Sequence, residues 1–287
     1  MAYIVRRVSN LGLRIGRWTV RLDGLDDALD AALRVRWGPF VTGGDEASAV
    51  VRLRDGGPRT WLEAEPGEPY RLEATLESGA IVVRSHHFEL APDGQGRWRM
   101  EISRDPAERA DRLVENAVRY LAARGAVEAG GLAFHGAAVR IEEEAHLLLG
   151  PSGSGKTTAV GLLAPAVSLG DDFAVAAVDG GAWVAPSTPF DNLESVPAER
   201  PTAEFRIAGI WRLFPSPEDR VERPLSVLAV SSLVTCAAMP WAMPDLSARI
   251  LENATRLLHR VPYAHLHFGK TSDLGSMIRA GTPSPPR

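Results

Sequence analysis

The chain has 287 residues, of which 45% are hydrophobic and 24% charged, so it can bury a core and is not expected to be disordered as a whole. Its formal net charge of −4, with no basic run longer than Arg6-Arg7, argues against a general nucleic-acid or membrane-surface binder. One cysteine, Cys236 in an apolar stretch, excludes an intramolecular disulfide and a cysteine zinc site, and is read as a buried, inert thiol. Because the sequence shows neither a leader pattern nor an apolar stretch long enough to span a membrane, we expect a cytoplasmic protein.

The first hundred residues contain short segments in which apolar and polar residues alternate, the pattern of half-buried strands. Five such segments, separated by turn signals such as Ser78-Gly79, cover 17–22, 49–53, 70–76, 81–85 and 98–102. A short helix is expected over 25–33. These elements predict an antiparallel β-rich N-terminal domain over residues 1–104. Its pair His86-His87 is read as structural, because neighbouring strand residues point to opposite faces and cannot ligate one metal together.

A connecting helix is predicted over residues 105–128. Asp105 can serve as its N-cap, with Pro106 at the first helical position and Glu108 completing a capping box. An apolar stripe follows at helical spacing from Ala107 to Ala122, and Gly125 is expected to end the helix.

The pattern from residue 129 to 280 predicts an α/β domain with a mixed sheet. The expected strands and helices are, in order, strands 132–139 and 145–149, a helix from the phosphate-loop lysine to about 163, strands 166–169, 173–178, 182–185 and 209–214, helices 225–238 and 246–260, a strand over 263–268 and a short terminal helix. The proline-rich segment 186–201 is predicted to be an active-site or lid loop. The tail 281–287 is expected to be disordered.

Residues 150–157 read G-P-S-G-S-G-K-T and match the phosphate-loop pattern G-x-x-x-x-G-K-[ST] between a strand and a helix. Glycines at three positions let backbone N–H groups approach phosphate oxygens, the lysine would lie against the β- and γ-phosphates, and the threonine hydroxyl would bind Mg²⁺. A glycine-rich turn that matches by chance is the alternative. We therefore predict that ATP and Mg²⁺ are bound by Gly150, Ser152, Gly153, Ser154, Gly155, Lys156, Thr157 and Thr158.

Two adjacent acids, Asp171 and Asp172, follow the next strand. Consecutive residues at a strand end diverge, so one carboxylate can face the metal while the other faces the phosphate acceptor. A structural Gly-Asp-Asp turn is the alternative reading. His135, on the strand that enters this domain, is a further candidate, although a lone histidine among apolar residues is more often a hydrogen-bonded core residue.

The chain resembles the catalytic domain of HPr kinase/phosphorylase in three motifs and in their order. The motifs are Phe134-His135-Gly136-Ala137-Ala138-Val139, the phosphate loop and Gly170-Asp171-Asp172. The likeness covers about residues 119–278 and is nearest to the shortened bacterial relatives described as HPr serine kinase-like proteins, some of which accompany ribosomal-peptide maturation. The resemblance implies a nucleotide fold like that of phosphoenolpyruvate carboxykinase. It also implies that His135, Lys156, Asp171 and Asp172 form the catalytic cluster, with either acid as general base on a serine hydroxyl and with Thr157 and Asp172 as predicted metal ligands.

The chain departs from that family in the segment that would bind the substrate protein, where the proline-rich stretch stands instead. The resemblance therefore implies neither HPr as the phosphate acceptor nor a phosphorolysis reaction. Full-length members of the family assemble as hexamers, so the resemblance is compatible with a homo-oligomer of this chain. Arg206 and Arg212 could clamp phosphates or lie on a solvated face. The sequence favours an ATP-dependent kinase acting on a serine, or another hydroxyl, of a small protein or peptide.

Two other functions stay open on the sequence. One is an ATP-binding sensor, or a subunit of a peptide-maturation complex, without transfer activity. The other is a small-metabolite kinase, which the absence of any Arg or Lys between residues 159 and 199 disfavours, because such kinases carry basic residues after the loop.

Overall fold

A computed structural model describes residues 9–63, 71–104, 108–191 and 196–281. Within these residues the chain has a mixed α/β architecture of the α+β type, with six α-helices and two mixed sheets. It divides into two compact units: unit 1 comprises Met1–Ala122 with Trp241–Pro244, and unit 2 comprises Ala123–Pro240 with Asp245–Arg287. No helix in the described part is long and apolar enough to cross a membrane.

Within the described residues, the strands of unit 1 form one eight-stranded sheet, and two helices belong to the same unit. The elements follow in chain order. They are β1 (Ser9–Ile15), β2 (Trp18–Leu25), α1 (Asp27–Trp37), β3 (Val41–Thr42), β4 (Ala49–Asp55), β5 (Glu73–Glu77), β6 (Ala80–Arg84), β7 (Phe88–Pro92), β8 (Arg97–Ile102) and the first part of α2 (Ala110–Glu128). The strand order is β3-β1-β2-β4-β8-β7-β6-β5. Alternate residues of the central strands, such as Leu11, Leu13, Val20 and Leu22, are fully buried.

The prediction that unit 1 is antiparallel is wrong for two strand pairs. β2 with β4 and β4 with β8 are parallel, while the remaining pairs of this sheet are antiparallel. Parallel neighbours need a long connection, and here α1 and the strands β5 to β7 supply it. Alternation within a strand carries no information on the direction of its partner, so the sequence pattern could not distinguish the two arrangements.

The expectation that Gly125 ends helix α2 is wrong. The helix continues through Gly125 to Glu128, because burial of Tyr120, Ala123 and Val127 outweighs the cost of about 1 kcal/mol for a glycine in a helix. The predicted cap at Asp105 and Pro106 lies outside the described residues, and the helix begins at Ala110.

The predicted strand over 81–85 ends at Arg84, so His86 and His87 lie in a turn between β6 and β7. His86 shares a hydrogen bond of 2.9 Å with the Leu62 carbonyl, which fits a structural role.

Unit 2 contains a nine-stranded sheet within the described residues. Its elements are β9 (Leu132–Phe134), β10 (Gly136–Ile141), β11 (Glu144–Leu149), α3 (Lys156–Leu162), β12 (Val167–Gly170), β13 (Ala174–Asp179), β14 (Ala182–Pro186), β15 (Glu204–Pro215), β16 (Arg220–Glu222), α4 (Ser226–Cys236), α5 (Ser247–Leu258), β17 (Tyr263–Phe268) and α6 (Leu274–Gly281). The consecutive strands β10 and β11 form an antiparallel hairpin, as do β13 and β14. The predicted strand over 132–139 is split at His135, since β9 pairs with β13 and β10 pairs with β11 and β12.

Strand direction in unit 2 brings distant parts of the chain to one edge of the sheet. β10 is antiparallel to both β11 and β12, with Gly136 opposite Leu149 and Ala138 opposite Gly170. The start of β10 therefore lies beside the ends of β11 and β12. β15 runs parallel to β11 and places Arg212 next to Leu149. His135, the phosphate loop, the two acids and Arg212 consequently share this edge.

The core of unit 2 forms between the sheet and the helices α3 and α6. It includes Leu148 of β11, Ala159 of α3, Trp211 of β15, Leu266 of β17 and Ile278 of α6. The alternate residues of β15 and β17 face the other way, where the Tyr263 hydroxyl donates to Ser232 Oγ of α4 at 2.6 Å. Gly281, predicted to begin the disordered tail, ends α6, and residues 282–287 lie outside the described part.

Candidate functional site

The loop between β11 and α3 has the shape that its glycines allow. Gly153 and Gly155 have φ angles of 80° and 87°, in the left-handed region that favours glycine. A Cβ at Gly150 would lie 2.2 Å from Ser154 Oγ, so this position requires glycine for space alone. Ser154 Oγ is buried and has no hydrogen-bond partner among the described residues.

Lys156, the first residue of α3, is held at the centre of the site. Its Nζ donates to the carbonyls of Gly150 at 2.9 Å and Pro151 at 3.1 Å, and lies 3.2 Å from His135 Nε2. Burial lowers the pKa of Lys156 and Arg212 lowers it further, whereas Asp172 and other negative groups raise it. A partly desolvated ammonium of this kind favours an anionic ligand beside it.

His135 contacts the carboxylate of Asp172. Its backbone N–H donates to the Cys236 carbonyl at 2.9 Å, and its ring Nδ1 lies 3.3 Å from Asp172 Oδ1. Because the ammonium of Lys156 can only donate, a neutral His135 that accepts from it at Nε2 has its ring proton on Nδ1, the nitrogen that faces Asp172. The result is a continuous chain of contacts from the phosphate-loop lysine to an acid. His135 is 47% exposed in its side chain, so it is not the core histidine of the alternative reading.

The turn that carries Asp171 and Asp172 is anchored by a buried ion pair. The backbone N–H of Asp171 donates to Asp191 Oδ1 at 3.1 Å, and Asp191 Oδ2 lies 2.7 Å from Arg200 Nη1. Asp191 and Arg200 are 2% and 6% exposed, and Arg200 also donates to the Thr188 carbonyl at 3.1 Å. The predicted active-site loop therefore contacts the acidic turn through its described residues.

Arg212 is the arginine that reaches the site. Its guanidinium donates to Cys236 Sγ, and its charge acts on Lys156. Arg206, the other arginine considered from the sequence, is 63% exposed in its side chain and lies 3.9 Å from Glu144. Cys236 is buried as predicted, and this burial raises the pKa of its thiol. The interpretation as an inert thiol is thus consistent with its surroundings.

The structure brings the predicted residues together to different degrees. His135, Lys156 and Asp172 are in direct contact, and Asp171 acts on Lys156 electrostatically. Three other predicted ligands carry hydroxyl groups and are exposed, Ser152 on the loop and Thr157 and Thr158 in the first turn of α3. Sequence reasoning missed the anchoring pair Asp191–Arg200, for which the spacing of two charges in a proline-rich segment gives no signal.

Neither the models of known protein families nor the curated proteins gave a match to this chain.

Proposed function

We propose that the chain is an ATP-dependent kinase that transfers the γ-phosphate to a serine, or another hydroxyl, of a small protein or peptide. One observation carries this proposal: the contact chain Lys156–His135–Asp172, which joins the phosphate-loop lysine to a histidine–aspartate pair at one sheet edge. Phosphoryl transfer requires cations on the phosphates and a group that takes the acceptor proton.

The residues at this edge fit a nucleoside triphosphate with magnesium. The glycines give the loop backbone its open conformation, and Lys156 and Arg212 supply two positive charges. Thr157 offers an exposed hydroxyl, and the acids offer the carboxylate oxygens that Mg²⁺ prefers. When bound, Mg²⁺ would neutralise the charge on the phosphates during transfer.

The contacts favour a division of roles between the acids. The acceptor hydroxyl oxygen forms a bond to the γ-phosphorus, the bond from that phosphorus to the bridging oxygen breaks, and ADP leaves. We assign the hydroxyl proton to Asp172, because His135 orients its carboxylate. Asp171, whose backbone is fixed by Asp191, is then the acid available to Mg²⁺ with Thr157. This assignment replaces the sequence prediction that Asp172 ligates the metal.

The test combines ATP binding with phosphate transfer from radiolabelled Mg-ATP to a library of serine-containing peptides and small proteins. We expect Lys156→Ala to abolish both binding and transfer, because it removes the cation at the phosphates. Asp172→Asn should keep ATP binding while transfer falls by about 10²- to 10⁴-fold, the usual contribution of a general base. Arg206→Ala, an exposed arginine outside the cluster, is the matched control and should transfer like the wild type.

Two results would count against this function. Undiminished transfer in both Asp171→Ala and Asp172→Ala would remove the acids from the mechanism. Tight ATP binding by the wild type without transfer to any acceptor would favour the sensor or maturation-subunit alternative.

A further inference from the structure

A second group of side chains lies together on β16 and β17 of unit 2. Glu222 ends β16, and His265 and His267 belong to β17. In the antiparallel pairing of these strands, Glu222 is opposite His265 and Arg220 is opposite His267. Residues two apart on a strand, and residues opposite each other on neighbouring strands, share one face of a sheet. The three side chains therefore converge because of the strand register.

The distances within this group suit a single metal ion. One ligand atom from each of Glu222, His265 and His267 lies within 4.8 Å of the other two, and no other group of three meets this condition among the described residues. Glu222 Oε2 and His267 Nε2 are 3.4 Å apart. Ligands of a tetrahedral site with bonds of about 2.1 Å are separated by about 3.4 Å, the separation that Glu222 and His267 already have.

Aromatic packing holds the two imidazoles in place. The ring of Phe214 stacks on His267, with centroids 5.0 Å apart and an interplanar angle of 14°, and lies 4.9 Å from the ring of His265. Tyr263 packs edge-on against His265 at 5.7 Å. Side chains that are already ordered lose less freedom on binding, which favours affinity.

We propose that Glu222, His265 and His267 bind one divalent transition-metal ion, for which Zn²⁺ is the best fit. Two imidazole nitrogens and one carboxylate oxygen form a donor set suited to Zn²⁺ and its neighbours in the first transition row, whereas Mg²⁺ and Ca²⁺ prefer oxygen donors alone. Glu222 is exposed, so the group is open to an ion from solution. Three protein ligands leave a fourth position for water or another ligand.

Arg220 competes with a bound cation at this position. Its Nη2 lies 3.4 Å from His267 Nε2 and 3.7 Å from Glu222 Oε2. The side chain of Arg220 is 54% exposed and can swing into solvent. Removing this positive charge should therefore strengthen metal binding, an effect that a merely structural role of the histidines does not produce.

The experiment is calorimetric titration of Zn²⁺ alone into chelator-treated protein without nucleotide. We expect one ion per chain in the wild type, at least a 100-fold loss of affinity in His265→Gln/His267→Gln, and about a tenfold loss in Glu222→Ala. Arg220→Gln should bind several-fold more tightly. His259→Gln, which changes an exposed histidine at the end of α5, and His135→Gln should bind like the wild type.

The proposed metal site would be overturned if the wild type bound no Zn²⁺ at a 100-fold excess of the ion over protein. Unchanged affinity for Zn²⁺ in both Glu222→Ala and Arg220→Gln would overturn it as well. These two variants alter exposed side chains and decide the question even when the histidine double variant fails to fold. Loss of binding in His135→Gln alone would place the ion at the phosphate-loop cluster instead. Because no nucleotide is present, failure of this test is distinct from failure of the kinase function.

Discussion

The glycines of the phosphate loop are required for different reasons at the scale of single residues. Gly153 has a positive φ in open space, whereas Gly155 combines a positive φ with a close neighbour, the ring of Phe268, which would lie 3.0 Å from a new Cβ. Gly150 is required by the packing of Ser154. The positive φ angles and the contact between Gly150 and Ser154 act over a few residues, which is why the loop could be predicted from one short string, whereas the contact of Gly155 with Phe268 depends on the fold.

A substitution at Gly155 should therefore damage both the fold and the proposed nucleotide site. For Gly155→Ala we expect a loss of about 1–2 kcal/mol in the free energy of unfolding, because alanine is strained at positive φ, together with weaker ATP binding. Gly161→Ala is the control: this residue is inside α3 with open space around it, and should be neutral or stabilise by up to about 1 kcal/mol. Urea unfolding and ATP titration measure the two effects, and equal behaviour of the variants would contradict the account of the loop.

His146 makes the stability of unit 2 depend on pH. Burial lowers its pKa to about 4, and its Nδ1 accepts a hydrogen bond of 3.2 Å from Trp211 Nε1, so the folded state keeps it neutral. The unfolded chain, with an ordinary histidine pKa of about 6.5, takes up the proton first as pH falls. The contribution of His146 to the free energy of unfolding is therefore complete above pH 6.5 and is lost progressively as the pH falls toward 4. At pH 4.5 the loss is about 2.5 kcal/mol.

The corresponding measurement is urea unfolding of the wild type and His146→Gln at pH 7 and pH 4.5. Between these two pH values, the free energy of unfolding of the wild type should fall by about 2.5 kcal/mol more than that of the variant. His259→Gln, with an exposed histidine, should follow the wild type. A pH dependence in His146→Gln equal to that of the wild type would show that another group carries the effect.

Other residues of the candidate site were beyond prediction from the sequence. Nothing in the pattern separates Arg212 from Arg206, since both lie on the same long strand, and only the pairing of β15 with β11 places Arg212 beside the phosphate loop. The roles of Asp191 and Arg200 depend on a contact between a loop and a turn. Such contacts are set by tertiary packing and leave no periodic signal.

At the scale of elements, direction and register decide which ends meet. The strands around the site were largely predicted, and β17 was predicted over its full length, because their apolar runs are long and bounded by turns. Four strands were missed: β1, β3, β7 and the short β16, which carries Glu222. Their partners were not predictable either, because pairing is a property of two segments and not of one.

The buried pair Asp191–Arg200 should be an anchor for the acidic turn. Arg200→Ala leaves Asp191 buried without its partner, so we expect a loss of about 3–5 kcal/mol in the free energy of unfolding. Asp191→Leu/Arg200→Met replaces both charges by apolar groups and should recover most of this stability. It should not recover phosphate transfer, because the acceptor for the Asp171 N–H is still missing.

Glu199→Ala, at an exposed position next to Arg200, is the control and should match the wild type in stability and transfer. Unfolding curves and transfer assays on the same preparations separate the two effects. Full transfer activity in the double variant would show that Asp191 does not position the acids.

At the scale of the whole molecule, the chain has two compact units, each with fully buried side chains. Fully buried residues of unit 1 include Trp37 and Phe88, while those of unit 2 include Phe134 and Leu266. The residues that support the proposed kinase, and those of the proposed metal site, all belong to unit 2. Unit 1 has its own buried charge network instead, in which Glu115 of α2 pairs with Arg36 and lies 3.0 Å from Arg119.

Glu115→Ala should destabilise unit 1 selectively. The substitution removes the carboxylate that pairs with Arg36, a side chain that is 2% exposed, and we expect a loss of about 3–5 kcal/mol in the free energy of unfolding of that unit. Hydrogen exchange followed by mass spectrometry should then show lost protection in β1 and β2 but unchanged protection in β11 and β15. Glu128→Ala, which removes a more exposed partner of Arg124 from the same helix, should change stability by less than about 1 kcal/mol. Equal loss of protection in both units would mean that the chain unfolds as one cooperative body.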